Sequence, residues 1–143
     1  WGVTKSIGTF DGKMNYPTDV ALSQNGTLYV ADGYNDRILA FGSDGKLLRK
    51  WGGPFAINIF GKFNGWFATV TNVTLGPEGN VFVSDFYNDR VQKFTPEGEF
   101  LNAFGIKSTQ PTHTAIAAAV APDGTVFVAD YANHQIQKWK PGQ

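Results

Sequence analysis

Apolar and polar positions alternate along this chain in short stretches, and nowhere do they settle into the spacing of an amphipathic helix. Over residues 27–31, Leu28 and Val30 alternate with Tyr29 and Ala31; over 37–41, Ile38 alternates with Leu39 before Ala40 and Phe41. Asn25-Gly26 between the apolar run Val20 to Leu22 and the β-rich run that follows is a strong two-residue hairpin signal. A polar corner, Gly33 to Asp36, and a Ser-Asp-Gly turn separate the next two runs, so residues 20–52 read as four antiparallel strands.

The same order is written again over 73–105 and, cut short, over 118–143. Gly26, Gly79 and Gly124 hold one equivalent place, as do Asp32, Asp85 and Asp130, and Phe41, Phe94 and Trp139. The glycines are spaced by 53 and 45 residues, near the period of propeller blades. The pattern predicts an all-β fold, a β-propeller of four-stranded antiparallel blades present in three repeats, half of a six-bladed ring. The chain divides into an outer-strand stub with its lead-in (1–19), blade 1 (20–52), an aromatic insertion (53–72), blade 2 (73–105), a second lead-in (106–117) and an incomplete blade 3 (118–143). In this reading Gly61-Lys62-Phe63-Asn64 repeats Gly12-Lys13-Met14-Asn15, and the residues after it are extra.

Three blades leave two open ends, since propellers close with about four to eight. Either a second copy closes the ring as a homodimer or the remainder of a longer chain does so. Alternate connections of an up-and-down blade lie on opposite sides, so the corners after the second strands share one face with the lead-ins. That face is the expected site for a peptide, glycan or protein ligand, and its candidate residues are Tyr34, Asp36, Arg37, Trp66, Phe67, Phe86, Tyr87, Arg90, His113, Tyr131 and His134. Asp32, Asp85 and Asp130 recur in every copy and are expected to hold the corners together, through corner N–H groups or Arg37 and Arg90.

Composition narrows the chemistry. Twelve basic and twelve acidic residues, interspersed, argue against a phosphate-neutralising surface, so nucleic acid is a disfavoured partner. Cysteine is absent, which removes disulfides and thiolate chemistry, and no apolar run is long enough for a membrane span. No Ser-His-Asp order, HExxH or phosphate-cradling loop is present. His113 and His134 with a carboxylate are too few to define a metal centre, and neither metal nor cofactor is assigned.

The strings YPTDVALSQNGTLYVADGYNDRILAF, NVFVSDFYNDRVQKF and GTVFVADYANHQIQKW resemble NHL repeats over essentially the whole chain. The resemblance implies six-bladed propellers that bind proteins, RNA or small ligands, and a secreted or periplasmic location. YPTDVA followed by YVADGYNDRI and WG is also similar to a blade of peptidyl-hydroxyglycine amidating lyase, an extracellular propeller enzyme that holds zinc with histidines. There Tyr34 falls at the position of the active-site tyrosine. Thr71 and Ile116 stand where metal-binding histidines are expected, and Phe86 stands where a substrate-binding arginine is expected. The leading expectation is a non-catalytic binding or scaffolding module; a degenerate lyase-like metalloenzyme and an RNA-binding domain are the alternatives.

Overall fold

A computed structural model describes residues 7–105 and 115–140. Three antiparallel sheets carry all the regular structure apart from single 3-10 turns. The first holds β1 (Pro17–Leu22), β2 (Leu28–Asp32), β3 (Arg37–Phe41) and β4 (Leu47–Trp51). The second holds β5 (Val70–Leu75), β6 (Val81–Asp85), β7 (Arg90–Phe94) and β8 (Phe100–Gly105). The third holds β9 (Ala115–Val120), β10 (Val126–Asp130) and β11 (Gln135–Trp139). Neighbours in sequence are neighbours in each sheet, so every blade is a meander starting from its inner strand.

Alternation along the strands sends one set of side chains to each side of a blade. Tyr29, Ala31, Ile38 and Ala40 of blade 1 meet Val70, Val73, Val81, Val83 and Phe94 of blade 2 in one core. Phe82 and Val91, from the opposite side of blade 2, meet Ala118, Val126 and Val128 of blade 3 in a second. Val30, Leu39 and Phe41 form a third cluster on the far side of blade 1, against Met14. The corresponding far side of blade 3 is open: Phe127 and Ile136 are exposed there, the latter by 66%.

The inner strands are tied blade to blade by side chains. Thr18 donates its hydroxyl to the Val70 carbonyl at 2.9 Å, and Asp19 accepts from Asn72 Nδ2 and Val73 N. One blade on, Thr71 donates to the Ala115 carbonyl and Asn72 accepts from Ala118 N. In β9 the equivalent positions are Ile116 and Ala117, and this relay stops. Gly52 marks how closely the first seam is packed. Its φ is 125° and an added Cβ would lie 2.4 Å from the Asp36 carbonyl oxygen, so only glycine fits.

The lead-ins of the first two blades each wrap round an arginine of their own blade. Arg37 donates to the carbonyls of Thr9, Lys13 and Ala56, and Asn35 donates to that of Gly8. Arg90 likewise donates to Lys62, Phe63 and Trp66, and Asn88 to Gly61. These bonds correct the register read from the sequence. Gly8 to Met14 is equivalent to Gly61 to Phe67, and the extra residues fall before Gly61 rather than after Asn64. Met14 and Phe67 are therefore the same plug, one on each blade, and Phe67 is fully buried in the first core.

Candidate functional site

The corners after β2 and β6 fold alike. Gly33–Asn35 and Phe86–Asn88 form a 3-10 turn, and Asp36 and Asp89 follow it in the left-handed region at φ 52° and 51°. In the third corner His134 takes the same conformation at φ 54°. Beneath each turn lies the recurring aspartate. Asp32 accepts from Asn15 N, Asn35 Nδ2 and Arg37 Nε; Asp85 accepts from Ala68 N, Asn88, Arg90 Nε and Gln92 Nε2. Asp130 accepts from Asn133, Gln135 and Gln137. Burial lifts the Asp85 carboxyl above the usual carboxylate range, even though the bonds from Ala68, Asn88 and Arg90 oppose it.

Above the aspartates, the first two corners and three inner strands enclose an open groove of about 670 Å³. Tyr16, Thr18 and Tyr34 form one wall, Thr69, Phe86 and Tyr87 the other, and Ile116 closes one end. The rings of Tyr16 and Tyr34 meet edge to face at 5.1 Å, as do those of Phe86 and Tyr87. Among the described residues, none that lines it is charged. Two of them, Tyr16 and Thr69, have positive φ at 48° and 58°, and for a β-branched threonine that conformation is strained. It is held from both sides: Asp36 Oδ1 accepts from Thr69 N at 2.6 Å, and Thr69 O accepts from Phe86 N at 3.0 Å. With its amide nitrogen turned toward them, Asn58 donates to Asp36 Oδ2 and the Tyr34 carbonyl. Burial and the neighbouring Asp32 raise the Asp36 carboxyl, while the Thr69 N–H pulls the other way.

Of the residues expected on a binding face, Tyr34, Phe86 and Tyr87 line this groove. Tyr131 and His134 are exposed beside Ile136 on the third blade, in a separate shallow depression. His113 lies outside the described residues. Asp36 and Arg37 are buried and engaged by the fold, so neither is presented to a ligand. Arg90 is spent on Asp85 and the lead-in carbonyls. Phe67, expected beside Trp66 on the surface, is core, because it fills the seam that Met14 fills on blade 1. Trp66 meets Phe63 edge to face at 5.1 Å and lines another depression with Lys50, Gly53 and Phe55, away from the groove. Sequence reading missed Tyr16, Thr18 and Thr69, which have no unusual residue type to flag them. Thr71 and Ile116 were marked only by resemblance to the lyase.

Those two positions test whether the zinc of that enzyme fits here. Thr71 donates its hydroxyl proton to Ala115 O, and Ile116 has no donor atom, so they do not form a zinc ligand pair. Among the described residues no three His, Cys, Asp or Glu side chains gather as metal ligands.

Comparison with known proteins places these features. The sequence model of the NHL repeat matches residues 14–41 and 115–139, which cover the first three strands of blade 1 and all of blade 3. A protein described as a probable peptidyl-alpha-hydroxyglycine alpha-amidating lyase from Caenorhabditis elegans is 37% identical over 101 residues. That match takes in 67% of this chain and 28% of the relative. Among solved structures, the WD40 propeller domain of Doa1 superposes with a TM-score of 0.67 at 13% identity, over 87% of this chain and 36% of that one. The virginiamycin B lyase of Staphylococcus aureus superposes with a TM-score of 0.63 at 12% identity, over the whole chain and 45% of the lyase. At such identities the likeness is one of fold, and this chain spans less than half of each of these proteins.

Proposed function

Because the chain belongs to the NHL-repeat β-propeller family, we propose that it is a binding module whose ligand seat is the groove between the first two corners. The observation that carries this reading is the meeting of Tyr34, Phe86, Tyr87 and Ile116, from three different blades, round one uncharged depression. Its size is that of ordinary ligand sites, and its walls stand on loops braced by buried ion pairs. A peptide is the ligand class best supported, ahead of a glycan or a folded partner, since the curated relative is described by a peptidyl substrate. The test is a nuclear magnetic resonance titration of the purified protein with a blocked peptide panel and neutral oligosaccharides. Perturbations centred on Tyr34, Thr71 and Ile116 support the seat; perturbations confined elsewhere, or none, refute it.

The module works within a closed ring, completed either by a second copy or by further blades of a longer chain, since Phe127 and Ile136 leave an apolar face open on blade 3. A dimeric mass by light scattering at micromolar concentration supports the second copy, and a monomeric mass refutes it.

A second reading, a lyase-like metalloenzyme, is favoured by the 37% identity to the nematode protein. It is weakened by the donor set at Thr71 and Ile116. Stoichiometric zinc or copper in the purified protein, lost in His113→Ala or His134→Ala, would promote it over the binding reading.

A further inference from the structure

A groove selects its ligand by the bonds it has left to give. Beside this one, five backbone carbonyls already accept a bond from inside the protein. Asn15 O takes Tyr34 N, Ala68 O takes Tyr87 N and Thr69 O takes Phe86 N, each at 3.0 Å. Val70 O takes the Thr18 hydroxyl and Ala115 O takes that of Thr71. The nearest carboxylate, Asp36, is committed to Thr69 and Asn58. An incoming N–H or O–H donor thus finds these five carbonyls already in use, and is left with the side-chain hydroxyls as acceptors. A charged ligand meets no counter-ion among the described residues of the lining.

What the groove offers is ring surface and hydroxyls that can donate or accept. Two edge-to-face aromatic pairs stand across from one another, Pro17 and Ile116 add apolar surface, and the hydroxyls of Tyr16 and Tyr34 make no hydrogen bond to another described residue. Both tyrosines are more than half exposed. A complementary ligand is apolar, uncharged and rich in carbonyl acceptors. Proline supplies that combination within a peptide. It has no N–H, its carbonyls point outward from a polyproline II helix, and its extended form is largely set before binding.

We infer that the groove between Tyr16–Tyr34 and Phe86–Tyr87 takes a proline-rich peptide segment in the polyproline II conformation, with its rings between the aromatic pairs and its carbonyls on the tyrosine hydroxyls. This rests on the reading of the groove as the ligand seat. Selectivity comes from ring contact and rigidity: a glycine-serine peptide has no side-chain rings to seat between the aromatic pairs and loses more freedom on binding, and a neutral saccharide gives up many hydroxyl bonds to water for few in return.

The test titrates the purified protein with N-acetyl-hexaproline amide, an N-acetyl glycine-serine hexapeptide amide and cellohexaose, following the backbone amide signals of Tyr34, Phe86 and Ile116. Hexaproline is expected to bind at least about tenfold more tightly than either control, a preference worth one or two good contacts. Tyr34→Ala is expected to weaken it by about tenfold, and Tyr34→Phe by a smaller factor that isolates the hydroxyl. Tyr87→Ala on the opposite wall repeats the test with a second half-exposed side chain, and unchanged thermal melting confirms that both variants fold. Equal binding of all three probes, or hexaproline binding indifferent to Tyr34→Ala and Tyr87→Ala, overturns the inference. If a control binds at the same signals and is lost in Tyr34→Ala, the seat stands and only proline selection falls. If no probe perturbs the groove, both fall.

Discussion

The carboxylate of Asp36, in the corner of the first blade, accepts a 2.6 Å hydrogen bond from the backbone N–H of Thr69, at the mouth of the second. The bond crosses the seam between blades and ends on a residue whose φ of 58° suits glycine better than threonine. Thr69 in turn receives Phe86 N on its carbonyl. One buried carboxylate therefore links the blade packing to the shape of the groove.

Asp36→Asn should cost only about 1 kcal/mol at pH 7, because asparagine tolerates the left-handed conformation and its Oδ1 can still accept from Thr69, while its Nδ2 loses the bond from Asn58. Asp36→Ala loses both properties and should cost about 2–3 kcal/mol, the sum of a left-handed alanine and an unmet buried N–H. Urea denaturation of the two variants against wild type measures this. Equal losses would mean that Asp36 acts through its charge alone.

The pH dependence follows from the direction of the shifts. Burial raises the folded-state carboxyls of Asp36 and Asp85 above the usual carboxylate range, so folding favours the protonated form of each. The stability this preference confers is complete below the unfolded value and is lost as pH rises through the raised folded value. The cost of Asp36→Asn relative to wild type should therefore be smallest at neutral pH and should grow on acidification across that interval. Midpoints of urea unfolding at a series of pH values read it directly, and a cost that shrinks toward low pH refutes the assignment.

Arg37 and Arg90 hold equivalent places but differ in exposure, and the variants should separate them. Arg37 and Asp32 have fully buried side chains, whereas the Arg90 side chain is 11% exposed. Arg37→Met leaves the Asp32 charge uncompensated and three carbonyls unserved, with an expected loss of about 3–5 kcal/mol. Arg90→Met should cost less, since water can reach its partners. Equal thermal destabilisation of the two would show that burial is not what decides the cost.

Phe67 and Trp66 are adjacent in sequence and opposite in consequence. Phe67→Ala empties the centre of the first seam, between Phe94 and the Gly52 turn, and should cost about 3–5 kcal/mol. Trp66→Ala removes a half-buried ring set edge to face against Phe63 and should cost about 1 kcal/mol. Trp66→Ala should also leave ligand binding at the groove unchanged. Chemical denaturation and the titration described above check the two halves of this prediction separately.

The repeat, the four-stranded blades and the structural use of Asp32, Asp85 and Asp130 were legible from the chain itself. A blade is built from contacts between sequence neighbours, and each turn glycine and each alternating strand is written where it acts. The lead-in register could also have been found. Gly8-Thr9-Phe10-Asp11-Gly12 and Gly61-Lys62-Phe63-Asn64-Gly65 match in glycines, phenylalanine and acidic-or-amide position. The shorter match at Gly-Lys was a competing signal, and only the Asn35–Gly8 and Asn88–Gly61 bonds decide between them.

Sequence alone could not tell which aromatic residues face water. Phe67 and Trp66 look alike as text; packing against a neighbouring blade buries one and leaves the other half exposed. Nor could it tell that Asp36 and Arg37, polar and beside a loop, would be consumed by the fold, or that Tyr16, Thr18 and Thr69 would meet Tyr34 and Phe86 across a seam. The local sequence sets the period, the strands and the turns, because those depend on residues a few positions apart. The groove, the plugs and the relay from Thr18 to Ala115 belong to the tertiary structure, because they come into being only where one blade is pressed against the next.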